Sequence, residues 1–325
     1  MTERFALVGC GTAAVHIHLP LLRAAGVDVT VFASRSRSSA EAARDTWGSG
    51  TVVERWEDAV VRDDVDAVVV ATPNAQHHEV AIAAARAGKH VLTDKPMART
   101  TAEADAMIAV ADEHAVVLVP FQNTRFMAPF VAAHDAVTAG RVGDVTGLRT
   151  AFGHGGPQAW APNATWFFDK ELAGGGCLID LGVHVIDLVR YVTSDDIVEV
   201  GALLNGDADG VEVDAQLLVR FRRGAIGTVH ASWSSRSGPD HQLTVVGTEG
   251  TLHLDTRAAL TLYPIDGERE RVALPHATSS PLDEFLAAVR GERAPTVTAA
   301  DGRAAVAVVQ AAYTSARDGS LVRVT

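Results

Sequence analysis

The sequence is short of cysteine, short of lysine, and has no apolar run long enough to cross a bilayer. Its 325 residues include two cysteines, Cys10 and Cys177. They lie too far apart for a zinc or redox spacing and give no disulfide framework. A reducing compartment, the cytoplasm, fits that usage. No apolar stretch reaches the ~18 residues of a membrane helix, which speaks against a membrane partner. Residues 5–22 superficially resemble a signal peptide, but they hold a glycine motif and two histidines, with no charged leader beyond Arg4. They read as a strand entering a helix. No block of like charge stands out. The formal net charge is −12, and an acidic surface repels phosphate backbones, so nucleic acid is excluded as the partner. A local basic pocket for a phosphorylated cofactor remains allowed. There is no internal repeat and no low-complexity linker.

What is present is alternation. Short β-branched runs at 5–9, 29–34, 67–71, 90–93 and 116–119 read as strands buried on both faces. Helical patterns lie between them at 13–25, 38–47, 76–87 and 101–114. Strict alternation predicts a parallel sheet covered on both sides. Thr100 stands three residues before Glu103, the spacing of a capping box. After about Phe121 the pattern changes to alternating strands with tight turns. Runs at 215–221 and 225–233 flank Arg222-Arg223-Gly224, and 248–250 and 266–267 carry further turn chemistry. Helices are expected at 176–191, 281–290 and 299–317, with Pro281 as a helix start. The fold class is α/β: a Rossmann dinucleotide-binding domain over 1–121, then an α+β domain with a mostly antiparallel sheet over 122–325.

The first strand runs into Gly9-Cys10-Gly11-Thr12-Ala13-Ala14. This is the dinucleotide fingerprint with Ala14 as its third small residue. Gly9 permits the tight turn, and Gly11 lets a pyrophosphate approach backbone N–H groups at a helix start. Thr12 lies in the same turn. A carboxylate that binds the ribose of NAD is expected about 20 residues on. No Asp or Glu occurs between Asp28 and Glu41, and Asp28 starts its strand, roughly 16–20 Å from the far end at ~3.3 Å per residue. Ser34 and Arg35 stand there instead, suited to a ribose phosphate. NADP is favoured over NAD.

The chain has 25 arginines against 3 lysines, so Lys95 runs against its habit. A lysine has a compact ammonium whose pKa burial tunes. Lys95 follows a strand, at the carboxyl edge of the sheet, where open α/β folds bind ligands. Removing its ammonium is expected to cost turnover and not stability. A second constellation follows Gly174-Gly175-Gly176, a loop expected to let the next helix approach a ligand. Asp180 and His184 are four apart, on one helical face, suited to an oriented general base. Its pH limb is expected near histidine's ~6.5. On the loop 152–166, His154 and Gln158 are candidates to reach a substrate. The pairs His16/His18 and His77/His78 have no evident third ligand, so no metal is expected.

Together these motifs resemble the glucose–fructose oxidoreductase, inositol dehydrogenase and rhizopine-catabolism (Gfo/Idh/MocA) family over nearly the whole chain. The resemblance also draws on Thr72-Pro73-Asn74 with His77, on the run from Gly88 to Asp94-Lys95-Pro96, on Arg125-Phe126, and on Trp166 ahead of the triple glycine. It implies catalytic roles for Lys95, Asp180 and His184, and cofactor contacts from Thr72, Pro73, Asn74, His77, Asp94 and Lys95. It implies substrate contacts from Arg125 and Trp166 and a cis Lys95–Pro96 bond. Asp94 stands where the family usually has glutamate, one methylene longer. The implied reaction is hydride transfer between nicotinamide and an alcohol or ketone of a sugar, inositol or related polyol. His184 takes the hydroxyl proton, Lys95 stabilises the oxygen, and Asp180 orients the hydroxyl, the histidine or the lysine. Alternatives are a ketosugar reductase, a trans-dihydrodiol dehydrogenase, and a dinucleotide-sensing regulator without turnover. The open-faced second sheet implies a homodimer or homotetramer.

Overall fold

Small and β-branched residues with both faces covered build the first sheet. All four residues of β4 (Ala67–Val70) are buried, as are four of five in β1 (Arg4–Val8). The structure, a computed structural model, describes residues 3–206, 210–236, 238, 240–255, 260–276 and 278–325. With β2 (Asp28–Ala33), β3 (Thr51–Val53), β5 (His90–Thr93) and β6 (Leu118–Pro120), the strands form a parallel sheet of order β3-β2-β1-β4-β5-β6. This order reverses direction between β1 and β4, and ligands bind at such a switch point, beyond the carboxyl ends of the strands.

The helices start where side chains cap them. Ser36 accepts from the Ser39 N–H ahead of helix Arg37–Trp47, and Thr100 accepts from Glu103 N–H ahead of helix Thr101–Glu113. The expected reciprocal bond at Thr100 does not form, because the Glu103 carboxylate is taken by the Arg99 backbone N–H at 2.9 Å and its guanidinium at 2.6 Å. A complete capping box occurs at Ser280/Asp283, before helix Pro281–Val289. Two further elements carried no such signal. Helix Ala128–Thr138 has no side-chain cap, and β3 is three residues long.

The second sheet has nine strands: β7 (Val145–Gly153), β8 (Ile197–Gly206), β9 (Glu212–Phe221), β10 (Ile226–Ser232), β11 (Asp240–Gly247), β12 (Gly250–Asp255), β13 (Thr261–Pro264), β14 (Glu270–Arg271) and β15 (Val322–Arg323). Their order is β14-β13-β12-β11-β7-β10-β9-β8-β15. Every pairing is antiparallel except β7 with β10 at its centre, which is parallel. Along β9, Ala215, Leu217, Val219 and Phe221 are buried while Gln216, Leu218 and Arg220 are exposed, the period of a half-covered sheet. The covered face packs on helices Val183–Thr193 and Ala299–Asp318. The stretch Lys170–Thr193 is apolar enough to cross a membrane by composition, yet 89 % of its most apolar window is buried within the protein.

The two sheets share more than a linker. Helix Pro281–Val289 returns to the first sheet's core, where the Phe285 ring lies 6.1 Å from that of Phe5. Arg125, expected at the substrate, is part of this scaffold instead. It is buried, forks onto Asp187 of helix Val183–Thr193, and donates to the Thr296 carbonyl at 3.0 Å. The 3-10 turn Thr124–Phe126 points Thr124 and Arg125 in different directions, and the arginine goes to the helix core. A buried guanidinium needs such a partner, since an unpaired buried charge costs several kcal/mol.

Candidate active site

A cleft of about 1010 Å³ runs from the glycine turn after β1 to helix Val183–Thr193. Gly9, Gly11, Thr12, Ser34 and Arg35 line one end, and Lys95, Asp180 and His184 line the other. Thr72, Pro73, Asn74, His77 and Asp94 line its middle. The lining thus brings together most of the residues picked out in the sequence.

At the first end, the backbone of Gly9 has φ +92°, and a Cβ there would stand 2.3 Å from the Ala71 carbonyl oxygen. Only glycine fits. A Cβ on Gly11 would meet no protein atom within 4 Å. The protein does not itself demand glycine there, as expected where a ligand needs the space. Ala14 does not line the cleft. It is fully buried under the turn, and its smallness lets the helix approach the sheet. Arg35 lies beyond β2 with no ion pair among the described residues, and the Ser34 hydroxyl accepts from the Ser36 N–H at 3.2 Å. A carboxylate is present at this end after all. Glu54, after β3, lines the cleft and pairs with Arg37 at 3.1 Å.

In the middle, Thr72 lines the cleft and its buried hydroxyl has no partner among the described residues. Asn74 donates to the Ala173 carbonyl at 2.8 Å, joining the two units. His77, expected to touch a cofactor, has both ring nitrogens on backbone carbonyls, Pro96 at 2.7 Å and Thr72 at 2.9 Å. Both carbonyls only accept, so the neutral ring donates to one of them, and the two contacts seat it between the Thr72 and Pro96 loops. Burial pushes its pKa below the ordinary value. The Lys95–Pro96 bond is cis.

At the far end, Lys95 Nζ donates to Asp180 Oδ1 at 2.6 Å and to the Asp180 carbonyl at 2.9 Å. The second carboxylate oxygen accepts from the Trp233 indole N–H at 2.9 Å. The side chains of Lys95 and Asp180 are 18 % and 6 % exposed. Asp180 therefore orients the lysine, and the expected Asp180–His184 partnership is absent. Residues Leu178–Gly182 form a π-helix, and both carboxylate oxygens of Asp180 are already taken, one by Lys95 and one by Trp233. His184 Nδ1 instead lies 3.2 Å from the Thr124 hydroxyl. Burial, then the charge of Lys95, holds the His184 pKa well below the ordinary value. Asp94 does not reach the Lys95 ammonium. It accepts from the Lys95 backbone N–H at 2.7 Å and pairs with His18 at 3.2 Å. Burial opposes its charge, but the His18 hydrogen bond and the neighbouring charges win and hold its pKa at about 2.

The triple glycine has a reason other than ligand approach. A Cβ on Gly175 would stand 1.9 Å from the Tyr313 hydroxyl, and one on Gly176 would stand 1.9 Å from the Glu212 carbonyl oxygen. Glu212 Oε1 accepts from Gly176 N–H, Leu178 N–H and Tyr313, each at 2.9–3.0 Å. This anchor fixes the turn that presents Asp180. His154 and Trp166 line the cleft, and Gln158 is exposed outside it. Trp160 also lines the cleft. Sequence reasoning missed Thr124, Trp233, Glu212 and Trp160. Thr124 alone had a usable signal, since it follows β6 at the same carboxyl edge that singled out Lys95.

Residues 3–121 match the model of an oxidoreductase family with an NAD-binding Rossmann fold, and residues 130–253 match the GFO/IDH/MocA C-terminal domain. The 1,5-anhydro-D-fructose reductase of Ensifer adhaerens is 33 % identical over 328 residues, 96 % of this chain and 97 % of that protein. An oxidoreductase domain protein from Kribbella flavida aligns over 100 % of both chains with TM-score 0.88 at 26 % identity. GenD2 from gentamicin A biosynthesis, solved in complex with NAD, aligns over 100 % of this chain and 97 % of its own, with TM-score 0.86 at 30 % identity.

The ion pair makes a stability prediction that differs from the sequence expectation for Lys95. Lys95→Met leaves the Asp180 carboxylate buried with only the indole as partner, and stability should fall by about 3 kcal/mol or more. Adding Asp180→Asn removes the stranded charge and should recover most of the loss. Urea denaturation of the three variants reads this; an undisturbed midpoint in Lys95→Met refutes it.

Proposed function

The chain belongs to the Gfo/Idh/MocA oxidoreductase family, and we propose that within it this chain transfers a hydride between a nicotinamide dinucleotide and a secondary alcohol or ketone of a sugar, inositol or related polyol. The observation that carries this reading is the placement of Lys95, Asp180 and His184 in the same cleft as the glycine turn. The cleft suits a dinucleotide. The Gly11 position is open, the Thr72 hydroxyl has no partner among the described residues, and backbone N–H groups begin a helix at the turn. When bound, the dinucleotide supplies the two-electron chemistry. The chain supplies position and electrostatics. Lys95 places its ammonium against the substrate oxygen and stabilises negative charge there. Asp180 and Trp233 hold that ammonium in place. His184, kept neutral by burial, takes the hydroxyl proton in oxidation and returns it in reduction. Its Nδ1 faces Thr124, which leaves Nε2 for the substrate. Reduction of a ketosugar is the reverse of the same step on the same groups.

We divide the chain into a dinucleotide-binding module, 1–121, and a substrate-binding and oligomerisation module, 122–325, whose helix Pro281–Val289 folds back onto the first. Thr12, Ser34, Pro73 and Asn74 line the dinucleotide path, and His154 and Trp166 border the substrate. Two free, buried cysteines fit a cytoplasmic setting.

Turnover tests the assignment directly. Lys95→Met and the Lys95→Met/Asp180→Asn pair should both lose about two orders of magnitude or more in kcat, although the second regains stability. Recovery of kcat with stability would make the lysine a fold residue. The pH profile is moved by burial. A histidine whose pKa is depressed stays neutral through and above its ordinary ~6.5, so its base form is lost only at lower pH. Oxidation should therefore show no inflection near pH ~6.5 from His184, and His184→Asn should lower kcat without altering the profile above it. An inflection at that pH, abolished by the substitution, overturns the neutral-histidine account.

Cofactor choice rests on Arg35. It has no ion pair among the described residues at the end of β2, where a ribose 2′-phosphate would sit, while Glu54 is held by Arg37, which also pairs with Glu41. Dissociation constants should favour NADP, and Arg35→Ala should weaken NADP more than NAD. Tighter binding of NAD by the parent chain rules this out.

The open face of the second sheet carries Leu203, Leu218 and Ile226, exposed by 79 %, 53 % and 52 %. A second copy of the chain covers this face in our reading, as a homodimer or homotetramer. Sedimentation should show the assembly, and Leu218→Asp with Ile226→Asp should dissociate it. A monomeric parent chain contradicts the proposal.

A further inference from the structure

The substrate end of the cleft holds polar and ionisable groups, yet none of its positive charge is free. Lys95 is committed to Asp180 at 2.6 Å and to a backbone carbonyl at 2.9 Å. His184 is buried and faces the Thr124 hydroxyl. His154 Nδ1 accepts the Gly156 N–H at 3.0 Å, which places its one proton on Nε2 and makes it a neutral ring. Burial pushes the pKa of both histidines down. Asp94, an anion, lies 3.2 Å from the His18 ring. Among the described residues lining the cleft, the cation without a carboxylate partner is Arg35, at the opposite end. Arg236 is exposed and does not line the cleft.

What the far end offers is aromatic faces and amides. Trp166 stacks on Phe167 at 3.9 Å between ring centroids, and Trp160 meets Phe167 edge-on at 5.5 Å. Asn123 and Asn163 line the same cleft. Aromatic faces pack on the C–H face of a sugar ring, and amides both donate to and accept from hydroxyls. Space argues in the same direction. About 1010 Å³ is the whole cleft, dinucleotide path included, and pockets for one drug-sized ligand already reach ~300–1,000 Å³.

We infer that the substrate is a small uncharged sugar or polyol, and that sugar phosphates, sugar acids and nucleotide-linked sugars are rejected. The inference rests on the alcohol–ketone oxidoreductase reading of the same cleft. A phosphate or carboxylate bound against the half-exposed Trp160 and Trp166 gives up part of its hydration and meets no cationic side chain among the described lining residues, so its lost hydration is not repaid. A hydroxyl at the same place exchanges water for the amides of Asn123 and Asn163.

Initial rates of the full chain with NAD and NADP test this. Neutral substrates (glucose, xylose, myo-inositol) are each set beside charged ones (glucose 6-phosphate, glucuronate, UDP-glucose). The best neutral compound should exceed every charged compound by about 100-fold or more in kcat/KM, the size of a lost charge-pairing contact. Asn163 is exposed, so Asn163→Arg adds a cation with little risk to the fold. It should narrow that ratio about tenfold by improving the charged compounds. A charged compound used as well as the neutral ones overturns this inference and leaves the oxidoreductase reading intact. Failure of every alcohol and of the matching ketones, with cofactor bound, overturns the oxidoreductase reading, and this inference falls with it.

Discussion

An ammonium and a carboxylate 85 residues apart in sequence, Lys95 and Asp180, meet at 2.6 Å where the two sheets face each other. Lys95 comes from the carboxyl edge of the parallel sheet, and Asp180 from the helix that covers the second sheet. Neither charge is tolerable at this depth alone, so the pair ties the angle between the units to an electrostatic requirement. Around it the structure spends polar groups freely. Trp233 holds the remaining oxygen of Asp180, and Glu212 anchors the turn that carries it. Asn74 crosses to Ala173, and Arg125 forks onto Asp187. These contacts all link segments far apart in the chain.

The same burial that requires the pair also silences the histidines. With Lys95 paired to Asp180, His154 and His184 neutral and Asp94 ionised, this end has no unpaired positive charge among the described residues, and in the low-dielectric surroundings fields act strongly on the substrate oxygen. That combination suits proton and hydride movement on an uncharged alcohol. Arg35, without a carboxylate partner among the described residues, is kept apart at the cofactor end, where an anion is expected. Charge is therefore sorted along the cleft by what each end has to bind.

Residues whose roles follow from their immediate neighbours were legible in the sequence. The glycine turn, the alternation that builds the parallel sheet, the Thr100 cap and the helix start at Pro281 are local, and they stand where the pattern placed them, although at Thr100 the reciprocal bond from Glu103 is absent. Lys95 was legible through its position after a strand. Ala14 shows the limit of a motif: it belongs to the fingerprint because it is small, and it serves packing. His77 and Arg125 show a second limit. Both sit in motifs that resemble a ligand site, but the motif does not say whether a side chain faces the cleft or the scaffold.

The sequence by itself determined the strand–helix alternation of the first domain, the dinucleotide turn and the candidate residues Lys95, Asp180 and His184, because periodicity and glycine geometry act over a few residues. Only the tertiary structure decided which of those side chains meet. Packing brought the Asp180 carboxylate to Lys95 and Trp233, and the Thr124 hydroxyl to His184. Those outcomes depend on groups brought close by packing, and burial set their charge states through desolvation, a property of the folded surroundings that no local pattern encodes.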